Sequence, residues 1–480
     1  LTSHERFVDA VERQIMPLVV ELGYGTYYER YRELRELDRR PAAELGERRF
    51  RAFRESLEHA WESVPHYRET LAERGLTPGD VQDVGDLPRL PTLDKRTLVE
   101  GFPDRITSSA SPRDEWRYRS TSGTAYRVMT VTDHSARQWR YAQYLRSLEI
   151  AADYRLGEPQ TVLRTEACLE ACAASGREEH ASGDPAALPV EREWPPLGFA
   201  PLTLQETVIH ARDLATTAPA PEAIDVHLRR VGESEPKLLR GMPIFLLLLA
   251  RRLQATGAEP PSVERIVVQD SLAPPALKRE LAETFGCPVR ETYGSSELGS
   301  VAAEGDDPDA GLLVAPDLFL AEILDAEGRP VAEGELGIVT LSATGNRALP
   351  LLRYQLGDVG RSSPAGATGG QRLRIEGRVR ETIPHEGGLL TAAAVYEALD
   401  QVPGLDFFQV VERAPGRLEL RLVPAEGGRL ETADAVAALE DLIEGDVEIR
   451  PRVVRSLRAE ESGKFVFVKA LEREGQPEEA

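Results

Sequence analysis

Five short stretches of this 480-residue chain carry residue types that can hold a nucleoside triphosphate and a divalent cation. The first is Ser120-Thr121-Ser122-Gly123-Thr124, four hydroxyls around one glycine. A glycine lets the backbone turn tightly, so that N–H groups and hydroxyls converge on phosphate oxygens. No Gly-Lys-Ser/Thr follows, so this is not a Walker loop. Gly23-Tyr24-Gly25 lacks the third glycine of a dinucleotide fingerprint. The second stretch is Glu291-Thr292-Tyr293-Gly294-Ser295-Ser296-Glu297-Leu298-Gly299. Tyr293 offers a flat face for a base, Ser296 a hydroxyl for phosphate, and Glu297 a hard oxygen ligand suited to Mg2+. The third, Arg353-Tyr354-Gln355-Leu356-Gly357-Asp358, sets a carboxylate beside a glycine, where it can accept from both hydroxyls of a ribose. The fourth is Ile375-Glu376-Gly377-Arg378-Val379-Arg380-Glu381-Thr382-Ile383, and the fifth is Glu461-Ser462-Gly463-Lys464-Phe465. Taken singly, each also reads as an ordinary loop, turn or hairpin.

The elements that must position these stretches follow from periodicity. Residues 5–75 read as helical, with Phe50, Phe53, Leu57 and Trp61 at three- and four-residue spacing. A proline-marked connector holds Leu87-Pro88-Arg89-Leu90-Pro91-Thr92-Leu93. From about 105 to 345, short apolar runs alternate with amphipathic stretches, as in Glu264–Val268, Ala276–Phe285 and Pro288–Arg290. That rhythm predicts an α/β layered domain. Val128–Val131 predicts a strand after the hydroxyl cluster. Residues 175–200 read as a surface loop and 360–371 as a turn. After 377 comes a smaller α+β unit with strands at Leu418–Leu422 and Phe465–Val468. The expected division is a large multi-layered domain over 1–376, helical over 1–100, and a small mobile lid over 377–480.

Asp plus Glu number 80 against 58 Lys plus Arg, a formal net charge of −22. This argues against nucleic acid or an anionic membrane as the main partner, since both attract basic surfaces. It does not touch ATP, whose binding is local. Arg30, Arg32 and Arg35 alternate with glutamates and read as a paired, solvated face. Three cysteines cannot build a disulfide framework. The apolar run Ile244–Ala250 is far short of the roughly 20 residues a spanning helix needs and reads as core. No basic-then-apolar leader is visible at Leu1–Arg6, and the expectation is a cytoplasmic, reduced protein. His180, His210 and His227 read as surface or packing residues. Cys168 and Cys172 sit at i, i+4 near His180 but want a fourth ligand, so no structural zinc is expected.

In their order and spacing, the five stretches resemble the adenylate-forming superfamily of acyl-CoA synthetases, luciferases and nonribosomal adenylation domains. The phenylacetate–CoA ligase-like branch is the best match. Ser63-Val64-Pro65-His66-Tyr67 and Leu238-Leu239-Arg240-Gly241-Met242-Pro243 also look like that branch, and the resemblance spans roughly 50–470. It implies an AMP-forming ligase that activates a small, aromatic carboxylic acid with ATP and Mg2+. The acyl group then passes to coenzyme A, a carrier-protein thiol supplied in trans, or an amine. It implies that Ser122, Gly123 and Thr124 hold the β/γ-phosphates and that Tyr293, with Gly294 and Ser295, packs on the adenosine. It implies that Ser296 meets the α-phosphate, Glu297 the Mg2+, and Asp358 and Arg378 the ribose. Arg380 falls at the hinge, Lys464 at the catalytic lysine, and Gly241, Met242 and Pro243 along the acid pocket. A homodimer is the default assembly for such an enzyme.

The chain also departs from the family pattern. The phosphate loop continues Ala125-Tyr126-Arg127-Val128 where the family has Thr-Gly-Lys-Pro, and an arginine fork is not a lysine point charge. Asp270-Ser271 stands where Gly-Glu is usual near the adenine, Ser296 replaces a threonine, and Arg380 replaces the hinge acid. These departures keep two alternatives open: a non-catalytic or regulatory member that binds adenylate, and an enzyme that activates an unusual anion.

Overall fold

Proline and glycine punctuate the helices that build the core. The helix Pro243–Thr256 opens with proline, whose missing N–H belongs to the unpaired first turn. It closes at Gly257, whose φ of +65° supplies a left-handed cap. Between them Ile244–Ala250 is wholly buried, so the apolar run is core, as expected. The computed structural model describes residues 3–21, 26–120, 128–164, 205–364, 370–460 and 463–471. Ser122, Gly123, Thr124, Arg127, Cys168, Cys172, His180 and the 175–200 segment lie outside them. Among the described residues no helix is long and apolar enough to cross a membrane.

The helical N-terminal part forms as expected. Helices occupy Ser3–Ala10, Met16–Glu21, Thr26–Leu37, Ala42–Ser63 and Pro65–Glu73, with a wide turn at Val11–Ile15. Phe53, Leu57 and Ala60 face inward. The arginine face is paired: Arg30 meets Glu33 at 3.0 Å and Arg35 meets Glu149 at 2.8 Å. The connector after these helices is stitched to the third motif. Leu93 N donates to Arg353 O at 3.0 Å, and Gln355 N donates to Leu93 O at 2.8 Å.

Strands β1 (Arg117–Ser120) and β2 (Met129–Thr132) form a hairpin that flanks the hydroxyl cluster. The helix His134–Ala152 follows, capped by Asp133, whose carboxylate accepts from Ala136 N at 2.7 Å. It packs on the central sheet. Five strands of that sheet are parallel: β3 (Gln160–Arg164), β4 (Glu206–His210), β5 (Leu238–Gly241), β6 (Arg265–Val268) and β7 (Val289–Ser295). Six more are antiparallel: β8 (Gly299–Glu304), β9 (Leu312–Val314), β10 (Phe319–Leu324), β11 (Leu336–Ala343), β12 (Tyr354–Ser363) and β13 (Arg372–Arg378). The eleven run in the order β10-β11-β12-β13-β9-β8-β7-β6-β5-β3-β4. β7 pairs with β6 on one side and antiparallel β8 on the other, so the sheet changes character at the second motif. Such a change at the carboxyl ends of parallel strands is where α/β sheets commonly open a binding crevice.

The small unit comprises β14 (Ile383–His385), β15 (Gly388–Leu390), β16 (Leu405–Ala414), β17 (Arg417–Pro424), β18 (Glu448–Val453) and β19 (Val468–Lys469). Helices Ala392–Leu399 and Thr432–Glu440 pack on the four-stranded sheet β18-β17-β16-β19. Two details differ from the sequence reading. Gly360–Ser363 continue β12, so the turn begins later; Gly360 faces β13 where a Cβ would lie 2.5 Å from Arg374 O. Of Phe465–Val468 only Val468 enters a ladder, while Phe465 and Phe467 pack into an aromatic cluster with Tyr396, Phe407 and Phe408.

The small unit shares an apolar core with the parallel half, and Arg251 links the two through its charge. Arg251 forks onto Glu280 at 3.1 and 3.2 Å, reaches Asp406 Oδ1 at 2.7 Å, and lies 4.5 Å over the Phe407 ring. Glu397 adds a second link, accepting from Ala276 N at 2.7 Å. Arg251→Ala strips the cation from two half-buried carboxylates. We expect it to destabilise docking by about 2 kcal/mol. Hydrogen exchange should then rise over 400–410 before the large domain loosens; unchanged protection there would show that Arg251 holds nothing.

Candidate active site

The junction of β7 and β8 is tight. Gly294 faces Ser300 across the ladder, and a Cβ on it would lie 2.3 Å from Gly299 O. The second motif therefore needs its glycine. Ser295 Oγ accepts from Leu298 N at 3.2 Å and caps the turn that follows. The Ser296 side chain is exposed at the turn, free to meet solvent or ligand, whereas Glu297 is buried.

Tyr293 reaches across to the third motif. Its phenol donates to Asp358 Oδ2 at 2.6 Å. In a flat sheet the four strand spacings from β7 to β12 would separate them by roughly 19 Å. The contact shows how far the antiparallel half curls over. Burial, and then the Asp358 carboxylate, push the Tyr293 phenol well above its ordinary value. Asp358 stands directly opposite Arg378 in the β12–β13 ladder, and Arg378 Nε lies 3.6 Å from Oδ1. The register of one hairpin thus brings the third motif's carboxylate against the fourth motif's arginine. Tyr293, Asp358 and Arg378 form one polar cluster.

Glu297 sits beside that cluster. The fully buried Tyr354 donates its hydroxyl to Glu297 Oε1 at 3.2 Å. Among the described residues no cation pairs with this carboxylate. A buried carboxylate with one hydroxyl donor and no ion pair among the described residues is costly by itself and fits a hard divalent cation. Arg140, from the helix His134–Ala152, donates to the backbone oxygens of Ser296, at 3.1 Å, and of Glu297. Sequence alone points to neither Arg140 nor Tyr354: Tyr354 lies inside the third motif, and Arg140 carries no motif at all.

Arg353, which opens the third motif, serves the fold. Its guanidinium is buried and holds both oxygens of Glu322 at 3.0 Å. The fourth and fifth motifs meet through Arg380 and Glu460. Arg380 Nη2 lies 3.1 Å from Glu460 Oε2, and Glu460 N donates to Lys464 O at 2.8 Å, closing the turn that carries Lys464. Leu457 N donates to Thr217 Oγ1 at 2.8 Å, so this arm rests on the large domain. Gly241, Met242 and Pro243 lie at the carboxyl end of β5, two strands from β7. Met242 is buried there and Gly241 abuts Leu163. His227 is a packing residue, buried and 2.7 Å from Asp213.

A second polar cluster lies under the first residue of the second motif. Lys278 Nζ is 2.6 Å from Glu304 and 3.6 Å from Glu291. Burial, partly offset by Lys278, pushes the Glu291 carboxyl up to about 7. An unfolded glutamate titrates near 4.5. Between those values the folded state holds the extra proton, so this group's contribution to stability falls as pH rises through the window. Glu291→Gln removes the titration. Its stability relative to wild type should rise by on the order of 1–3 kcal/mol between pH 5 and pH 8. A pH-independent difference in denaturant midpoints would refute the assignment.

No family model matches the chain. In sequence it is 24% identical over 444 residues to a phenylacetate-coenzyme A ligase of Thermus thermophilus, covering 89% of this chain and 92% of that one. It is 26% identical over 343 residues to a phenylacetate-coenzyme A ligase of Pseudomonas putida, covering 70% of each. In fold it resembles 2-hydroxyisobutyryl-CoA ligase, solved in the postadenylation state with an acyl-AMP. The TM-score is 0.68 at 19% identity, over 90% of both chains. The chain therefore has the fold of the adenylate-forming ligases and is, in sequence, a relative of their phenylacetate–CoA ligase-like branch.

Proposed function

We propose that this protein is an AMP-forming ligase that activates a small aromatic carboxylic acid with ATP and passes the acyl group to a thiol, coenzyme A first among the candidates. The observation that carries this reading is the cluster of Tyr293, Asp358 and Arg378 beside the buried Glu297 carboxylate, whose hydrogen bond is to the Tyr354 hydroxyl. The names of the sequence relatives support the aromatic acid and the coenzyme A acceptor.

In the first step a carboxylate oxygen attacks the α-phosphorus of ATP. The bond to the bridging β-oxygen breaks, and pyrophosphate leaves with the electron pair. In the second step a thiolate attacks the acyl carbon, and AMP leaves. Every reacting group in the first step is anionic, so catalysis rests on positioning and charge compensation. Asp358 accepts from the ribose hydroxyls while Arg378 holds Asp358 in place. The Tyr293 ring covers the adenine. Glu297 would hold a divalent cation, which when bound neutralises phosphate charge. Ser296 donates to the α-phosphate. The Lys464 ammonium approaches the acid carboxylate and the α-phosphate when its turn swings in from the hinge at Arg380. Ser122, Gly123 and Thr124 complete the reading as phosphate ligands, and Gly241, Met242 and Pro243 as one wall of the acid pocket.

The test is ATP–pyrophosphate exchange with Mg2+ across aryl, fatty and amino acids. Exchange with one acid class supports the reading and identifies the class. Absence of exchange with every acid, despite measurable ATP binding, overturns it in favour of an adenylate-binding regulator or an enzyme for an unusual anion.

A further inference from the structure

We propose that Arg140 is a positioning residue for the metal carboxylate, clamping the turn that aims Glu297. This rests on the adenylation reading above. Between β7 and β8 the chain reverses over Ser296–Leu298, and the carbonyls of Ser296 and Glu297 point away from any strand ladder. Arg140 takes both: Nη1 donates to Ser296 O at 3.1 Å and Nη2 to Glu297 O. A planar guanidinium can hold two oxygens at once in a fixed fork, which an ammonium cannot. The residue reaches them because Gly299 has no side chain. A Cβ on Gly299 would lie 3.2 Å from Arg140 Cγ, and its φ of +80° already selects glycine.

The clamp divides the work between backbone and side chain. Arg140 grips the Glu297 main chain and leaves the Glu297 carboxylate to Tyr354 and the cation. An ion pair at the carboxylate itself would compete with metal. Placed on the carbonyls, the same charge stiffens the turn and stays close to where triphosphate charge must gather. Both side chains line one small cavity, with Gln143 and Ser300 beside them.

The experiment compares wild type, Arg140→Met and Arg140→Lys by Mn2+ electron paramagnetic resonance in the presence of a non-hydrolysable ATP analogue. AMP binding without metal is measured alongside. In Arg140→Met, Mn2+ affinity should fall about tenfold or more while AMP affinity stays within about twofold, the loss expected when an outer partner of a metal ligand is removed. Arg140→Lys, a point charge without the planar fork, should fall between. Mn2+ affinity in Arg140→Met within about twofold of wild type overturns the proposal. So does a parallel loss of AMP binding, which would make Arg140 a general support of the fold. If Arg140→Met does not fold, Arg140→Lys decides alone, and unchanged Mn2+ affinity there overturns the two-oxygen clamp. A wild-type protein that retains no Mn2+ with the analogue would overturn the reading of Glu297 itself.

Discussion

Lys464→Ala is expected to lower ATP–pyrophosphate exchange by roughly a hundredfold to a thousandfold, the range seen when one preorganised donor to a developing charge is removed. The expectation comes from charge. The acid carboxylate and the α-phosphate repel one another. Arg378 faces the Asp358 carboxylate and Arg140 holds a backbone turn, so neither is placed to bridge the two reacting anions. Lys464 is carried on a separate turn closed by Glu460 and Gly463 and tied through Glu460 to Arg380. That attachment makes its position a property of the hinge. The loss should therefore appear in the adenylation step alone. Nucleotide binding should stay within about threefold of wild type, because the Tyr293–Asp358–Arg378 cluster lies on strands of the eleven-stranded sheet, outside the lysine turn. Transfer from a supplied acyl-adenylate to the thiol should also survive. Exchange in the variant within about threefold of wild type would remove Lys464 from the mechanism. Equal losses in exchange and in ATP binding would make it a nucleotide ligand.

The hinge has a second consequence. Arg380 occupies a position where relatives carry an acid, and here it is paired with Glu460 on the lysine turn. That relation was not visible in the chain, since residue 460 belongs to no motif. The same holds for the deeper parts of the site. Element types in the α/β core are legible because Ile266–Val268 is a short apolar run, while Ala276–Phe285 has a helical period and ends at Gly286, whose φ is +66°. The motif order was legible because each motif is local. What joins the motifs is not local. Tyr293 meets Asp358 across 65 residues, and Arg140 meets Glu297 across 157. Such contacts depend on how a sheet curls and which helix face lies under it, and one residue's type does not encode either. Arg353 shows the converse. It opens a functional motif by sequence, yet its fork is spent on Glu322 and the connector at Leu90.

Asp358→Asn should weaken ATP and AMP binding by roughly tenfold to a hundredfold, since a charge-assisted hydrogen bond contributes about 1.5–3 kcal/mol. The carboxylate is placed for two donors at once. Oδ2 already accepts the Tyr293 phenol at 2.6 Å, and Oδ1 faces Arg378 at 3.6 Å. An amide keeps the shape but loses the charge, and one of its atoms becomes a donor facing other donors. The discriminating control is 2′,3′-dideoxy-ATP. Wild type should bind it far more weakly than ATP, whereas Asp358→Asn should bind the two nearly alike. A variant that still discriminates would mean that the ribose is held elsewhere. Tyr293→Phe separates the phenol from the ring. If the phenol and the ribose hydroxyls compete for Oδ2, removing the phenol leaves the ring for the adenine and frees the carboxylate. ATP affinity should then hold or tighten by up to about threefold. If the phenol is instead what orients Asp358, Tyr293→Phe should weaken binding, and the double variant should be no worse than Asp358→Asn alone. The short bond favours the first outcome on one physical ground: a ribose hydroxyl can replace a phenol on the same lone pair without desolvating the carboxylate again.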